Sequence, residues 1–179
     1  MNLSFSRASL RRVLLAFTLG GLSACAVLRP AGYEAFHSAV AQGDAIRIYD
    51  TLEALIAEDN DTSADRKAAF KALRNRNEDT AEFQFAWAAV AGRLVQRRGL
   101  LALDLVKDIE KHALRSRELD PDFRDGDATR LLGTLYVVAP SSFLEHGNSE
   151  LGLEMLEDLV ARHPEDPIIT CVRPRLTSP

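Results

Sequence analysis

Two cysteines, four histidines and a short acidic run are the residues of this chain whose types could do chemistry. His37, His112, His146 and His163 are scattered along it. None falls in a His-Glu-x-x-His pair, where two imidazoles one helical turn apart hold zinc. Asp120, Asp122, Asp125 and Asp127 crowd around Gly126. A calcium loop needs oxygen ligands at alternate positions ahead of its glycine, and Pro121 and Phe123 break that pattern. Helix ending and capping is the plain reading of these aspartates. No glycine-rich phosphate loop and no Gly-x-Ser-x-Gly elbow occurs. No catalytic residue, cofactor or metal site is therefore expected, and the chain is not expected to be an enzyme. Trp87, Tyr136 and Phe143 are the candidates for lining a ligand cavity. Aromatics at helical spacing more often fill a core, and Phe143 stands apart because it falls between helices.

Of the two cysteines, Cys171 reads as a small apolar residue or an incidental thiol. A Cys25–Cys171 disulfide is open on the count alone, but Cys25 has a better use. Arg7, Arg11 and Arg12 precede a mostly apolar run, Val13 to Leu22, and small residues follow it. The run is too short to span a bilayer, which takes about 20 residues, so residues 1–24 read as a secretory signal. Leu22-Ser23-Ala24-Cys25 resembles a bacterial lipobox, which implies cleavage before Cys25 and a diacylglycerol on its sulfur. Ordinary cleavage after Ala26 is the rival. Arg11-Arg12 fits a twin-arginine signal poorly, so export unfolded is expected. Ala26 stands where an aspartate would oppose outer-membrane sorting. The expected address is the outer membrane, lipid-anchored at Cys25 and facing the periplasm.

Removing Arg7, Arg11 and Arg12 from the 22 basic residues leaves 19 against 26 acidic ones, a net charge of −7 for the exported part. Nucleic-acid binding needs a basic face, so no nucleic-acid partner is expected. The 155 residues from Cys25 onward suffice for one domain without disulfide staples.

The elements that must position any site are helical. Residues 25–42 read as a tether, with a short helical run around Tyr33 to Ala41. From Asp44, Ala45, Ile48, Tyr49, Leu52, Leu55 and Ile56 recur at helical spacing, and Asn60-Asp61 breaks the run. A second helix is expected over Ser63 to Arg76, its basic residues forming a solvated face. Asp79 with Glu82 reads as a capping box for a helix whose stripe is Phe83, Trp87, Val90 and Leu94 and whose stop is Gly99. Another helix runs from about Leu101 to Leu119, with Leu105, Ile109 and Ala113 inward and Lys107, Asp108, Glu110 and Lys111 on the other faces. Asp120-Pro121 ends it. Asp127 reads as the N-cap of Ala128 to Val138, and the last strong helix is Ser149 to Arg162.

These helices carry a repeat grammar. Leu132, Gly133 and Tyr136 match the Leu-Gly-x2-Tyr core of the tetratricopeptide signature, Gly147 sits at the turn, and Pro164 closes the second helix. Gly152 and Leu156 take the alanine and aromatic positions. Tyr136 to Pro164 spans 28 residues, against about 21 in the signature. The surplus lies between Val138 and Leu144. Trp87, Val90, Ala91 and Leu94 form a weaker copy, and residues 44–76 a third. The fold expected is all-α, about three tetratricopeptide-like helix pairs stacked as an α-solenoid. Residues 43–167 form that body and 168–179 a C-terminal tail too short for a capping helix, leaving the apolar face of Ser149 to Arg162 partly uncovered.

A lipoprotein with Leu132-Gly133-Thr134-Leu135-Tyr136, then Ala139-Pro140, then Gly147 resembles the T components associated with TRAP transporters. The resemblance covers about residues 44–167. It implies a helical periplasmic lipoprotein that assists a solute-binding protein in uptake of a small apolar cargo, and that forms oligomers with itself. The expectation is thus a lipid-anchored binding or adaptor protein whose partner is another protein. The alternative is an outer-membrane assembly or scaffold lipoprotein without a small-molecule ligand.

Overall fold

The computed structural model describes residues 32–99 and 104–164. The signal segment, Cys25, Cys171, residues 168–179 and the expected helix start at Leu101 lie outside them. Seven α-helices make up the described body: α1 Tyr33–Gln42, α2 Ala45–Ala57, α3 Ser63–Leu73, α4 Ala81–Arg98, α5 Leu105–Leu119, α6 Asp127–Val138 and α7 Ser149–Arg162. The described residues contain no strand. Each helix packs mainly on its neighbours in the chain, while α2 also reaches α4, and α4 reaches α6. The result is three hairpins, α2/α3, α4/α5 and α6/α7, stacked as a helical repeat, with α1 laid against the first.

Local chemistry sets most boundaries. Asp44 caps α2 by accepting from the Arg47 N–H at 3.1 Å. Thr62 and Asp65 form a reciprocal capping box on α3. Asn148 caps α7 by accepting from the Leu151 N–H at 3.0 Å. Gly43 ends α1 at φ 72°, a left-handed conformation that costs glycine little.

Several expectations are corrected. Residues 33–42 are part of the body, since Phe36 and Ala39 are fully buried in the shared core. An aromatic ring removed from water outweighs the entropy a tether would keep, so the body begins at Tyr33 and not at 43. The cap of α4 is Thr80, whose hydroxyl accepts from the Phe83 N–H at 3.2 Å. Asp79 is taken instead by Arg115 of α5, at 2.7 Å to both carboxylate oxygens. Asp127 is the first residue of α6, and the cap position belongs to Gly126. The inward face of α5 is Val106, Ile109, Glu110 and Ala113, so Glu110 is buried where a solvated position was expected.

One core runs through the stack. Ile48, Leu52 and Leu55 of α2, Leu73 of α3, Phe83 and Trp87 of α4, Ile109 of α5, and Leu132 and Tyr136 of α6 belong to it. Each large apolar side chain so buried contributes about 1.5–3 kcal/mol. The far end is less covered. Val138 is 70 % exposed and Leu153 50 % exposed. No described helix is long and apolar enough to cross a membrane.

Candidate functional site

The first helices of the three hairpins lie side by side and wall a groove. Phe85 and Ala89 of α4 and Ala128 of α6 form a small apolar cluster of their own, and Ile46 and Tyr49 of α2 and Leu131 of α6 pack against both it and the main core. An aromatic row crosses it: Tyr49 meets Phe85 edge-on at 5.0 Å, and Phe85 meets Phe123 at 5.8 Å. Phe123 comes from the turn before α6, where Arg124 and Asp125 adopt φ of 50° and 57°. Left-handed backbone at two successive non-glycine residues is costly. Here it carries Arg124 to Asp50 at 2.8 Å and over the Tyr49 ring at 5.6 Å. A cavity of about 210 Å³ opens beside the row, with Gly92, Gln96 and Thr134 on its walls. A wider one of about 570 Å³ borders Ile46, Phe83 and Phe123 on the other side.

The groove has a small-residue floor. Gly92 sits inside the 18-residue helix α4, and a Cβ built there would meet nothing within 4 Å. Glycine in a helix interior costs roughly 0.5–1 kcal/mol relative to alanine. No neighbour in the chain requires that cost. Two polar groups reach the same space. Among the described residues, neither the Tyr49 hydroxyl nor the Thr134 hydroxyl makes a hydrogen bond. Burial, then Glu53 and Asp127 nearby, push the Tyr49 phenol up to about 12, so it keeps its proton as an unused donor.

The charges around the groove are committed to one another. Arg93 holds Glu53 through both carboxylate oxygens, with Nε at 2.6 Å. That hydrogen bonding raises the Arg93 pKa above its ordinary value. Asp127 is shared by Arg124, at 3.2 Å, and Arg130. Burial nevertheless raises the Asp127 carboxyl above the usual carboxylate range. The groove is therefore apolar and aromatic at its base with a neutralised rim.

A second arrangement joins α5, α6 and α7. At the crossing of α6 and α7, a Cβ on Gly133 would lie 2.8 Å from Leu156 and 3.0 Å from the Gly152 carbonyl. A Cβ on Gly152 would lie 2.7 Å from the Gly133 carbonyl. The two glycines thus let the backbones touch. Gly147, in the connection between these helices, lies flat on the Tyr136 ring with no room for a Cβ. The Tyr136 hydroxyl hydrogen-bonds Glu110, and burial, foremost, drives its pKa well above the ordinary phenol value. Glu110 is 1 % exposed. Its carboxylate accepts the backbone N–H of Glu145 at 2.7 Å and of His146 at 2.8 Å. The surplus residues between Val138 and Asn148, which include a 3₁₀ turn at Ser141–Phe143, are fastened to the body by this side chain, by the Lys107–Glu145 ion pair at 3.1 Å and by Leu144 packed on the core.

The expected cavity residues, Trp87, Tyr136 and Phe143, border neither cavity of the groove. Trp87 is 5 % exposed and Tyr136 2 %, both in the main core. Trp87 stacks on His112 at 4.0 Å and meets Phe70 edge-on. His112 is held by Gln84 at 2.6 Å, and burial lowers its pKa. Phe143 is half-buried, and it borders neither groove cavity. Of the repeat positions, Leu132, Gly133 and Tyr136 are buried, Gly147 is half-buried, and Pro164 is exposed just after α7 instead of in the core. Among the described residues no three His, Cys, Asp or Glu side chains are grouped to hold a metal.

The residues that sequence reasoning missed are Glu110, Tyr49 and Gly92. Glu110 carries a signal, because it lies four residues after Val106 and three before Ala113, on the buried stripe. Tyr49 was read only as one apolar position among six. No family model matches the chain, and no curated protein matches it.

Proposed function

We propose that this chain is a lipid-anchored binding and adaptor protein, held at the outer membrane through Cys25 and facing the periplasm, that takes a segment of another protein into the groove of α2, α4 and α6. The observation that carries the reading is Gly92. It keeps a helix-weakening residue at the floor of an open groove where the fold itself has no use for it. Stacked helix pairs commonly present such a surface to a protein segment. The aromatic row supplies apolar contact area. The free Tyr49 and Thr134 hydroxyls supply hydrogen bonds for a partner's backbone. The Leu132-Gly133-Thr134-Leu135-Tyr136 motif with Ala139-Pro140 and Gly147 favours a TRAP-type uptake system as the setting, with its solute-binding protein as the partner. Permease and binding-protein genes beside this one would support that setting.

The test exploits the empty space at Gly92. Gly92→Phe projects a ring into the groove and removes a helix-interior glycine, so the fold is expected to be at least as stable. Titration of the neighbouring solute-binding protein is expected to give at least about a tenfold loss of affinity with this variant, the order of a blocked anchor. Unchanged affinity at unchanged melting temperature would refute the groove as the binding site.

A further inference from the structure

We propose that the outward face of α3 is a membrane-contact surface that sets Lys67, Lys71 and Arg74 against anionic lipid headgroups. The inference rests on the anchor at Cys25. Lys67 and Lys71 of α3 and Arg74 at its C-cap recur at four- and three-residue spacing along one ridge, all exposed. Among the described residues none of their side chains is in an ion pair or a hydrogen bond. Arg66, Arg76, Arg93, Arg115, Arg124 and Arg130 hold carboxylates, whereas these three neighbouring cations hold none.

The carboxylates that could have neutralised the ridge are turned away from it. Asp61 bonds Arg66 at 2.6 Å with only 5 % of its side chain exposed, and that hydrogen bond lowers its pKa. Asp65 is buried in the capping box with Thr62. The ridge offers local positive charge to an anionic surface, although the exported part of the chain carries −7 overall.

Chain length brings that surface within reach. Eight peptide steps join Cys25 to Tyr33, spanning about 28 Å at full extension. Gly32, where the described body begins, lies against Leu55 near the end of α2, the end from which the chain turns into α3. α3 itself is only about 16 Å long. An anchor on Cys25 therefore leaves the whole ridge within reach of the headgroups.

The experiment uses the acylated full chain in vesicles of phosphatidylcholine alone and of phosphatidylcholine with phosphatidylglycerol. Lys67 and Lys71 are acetylated with a water-soluble reagent and followed by mass spectrometry against Lys111 of α5. On the anionic vesicles both are expected to react about fivefold more slowly relative to Lys111, an effect removed by high salt. Equal relative rates on the two vesicle types would overturn the proposal. So would protection on both that grows with protein concentration, which would place a second copy's α7, with its exposed Glu150, Glu154 and Glu157, on the ridge. The anchor is read separately, from palmitate incorporation that Cys25→Ala abolishes. Unacylated chain added to the same vesicles keeps the two readings distinguishable. It is expected to sediment with the anionic vesicles alone, and K67E/K71E/R74E to stay in solution.

Discussion

Four glycines in helices or their connections serve different ends. Gly133 and Gly152 face each other across α6 and α7, and a methyl on either collides with backbone or with Leu156. Gly147 is pressed on Tyr136. Gly92 touches nothing. Gly133→Ala and Gly152→Ala are each expected to destabilise the fold by about 1–3 kcal/mol, the cost of overpacking a tight crossing. Gly92→Ala is expected to stabilise it by about 0.5–1 kcal/mol through helix propensity. Denaturant titrations of the three variants measure these differences. A destabilised Gly92→Ala would mean that the fold needs this glycine, and the binding argument would lose its footing. Gly133 could be read from the sequence, because the repeat motif carries its reason. Gly92 could not, since its meaning depends on three helices converging where one would look.

At the scale of elements, the connection between α6 and α7 is the departure from a regular repeat, and Glu110 explains how it is tolerated. One buried carboxylate satisfies two backbone N–H groups of that connection and the Tyr136 hydroxyl. Glu110→Ala would leave the buried Tyr136 hydroxyl unpaired and take a charged acceptor from two amides of the connection, at a cost of roughly 2–3 kcal/mol. The amides of Glu145 and His146 are expected to exchange at least about tenfold faster in that variant, because their opening no longer breaks a charged hydrogen bond. Unchanged exchange at both amides would show that the loop is held by something else. The helices themselves were largely legible. Apolar periodicity located the six from Ala45 onward, and Ser149–Arg162 was found to the residue. What was not legible depended on partners far along the chain. Asp79 and Thr80 are both competent caps, and Arg115 from α5 decides between them by taking Asp79. Glu110 looked solvated beside Lys107, Asp108 and Lys111 until the returning loop supplied its donors.

For the whole molecule, the chain divides its faces by role. α2, α4 and α6 present an aromatic groove with paired charges at its rim, α3 presents an unpaired cationic ridge, and the end at α7 leaves Leu151 and Leu153 partly exposed. With Cys25 in the membrane and α3 against it, the groove's orientation to the periplasm would be fixed. The central claim is that another protein occupies that groove. It is tested most directly by photo-crosslinking in cells from a benzoyl-phenylalanine placed at Thr134, with a second placed at Lys111 on α5. The expected result is a discrete crosslinked protein from position 134, absent from position 111 and lost when Gly92→Phe fills the groove. Crosslinks equal from both positions, or insensitive to Gly92→Phe, would contradict it.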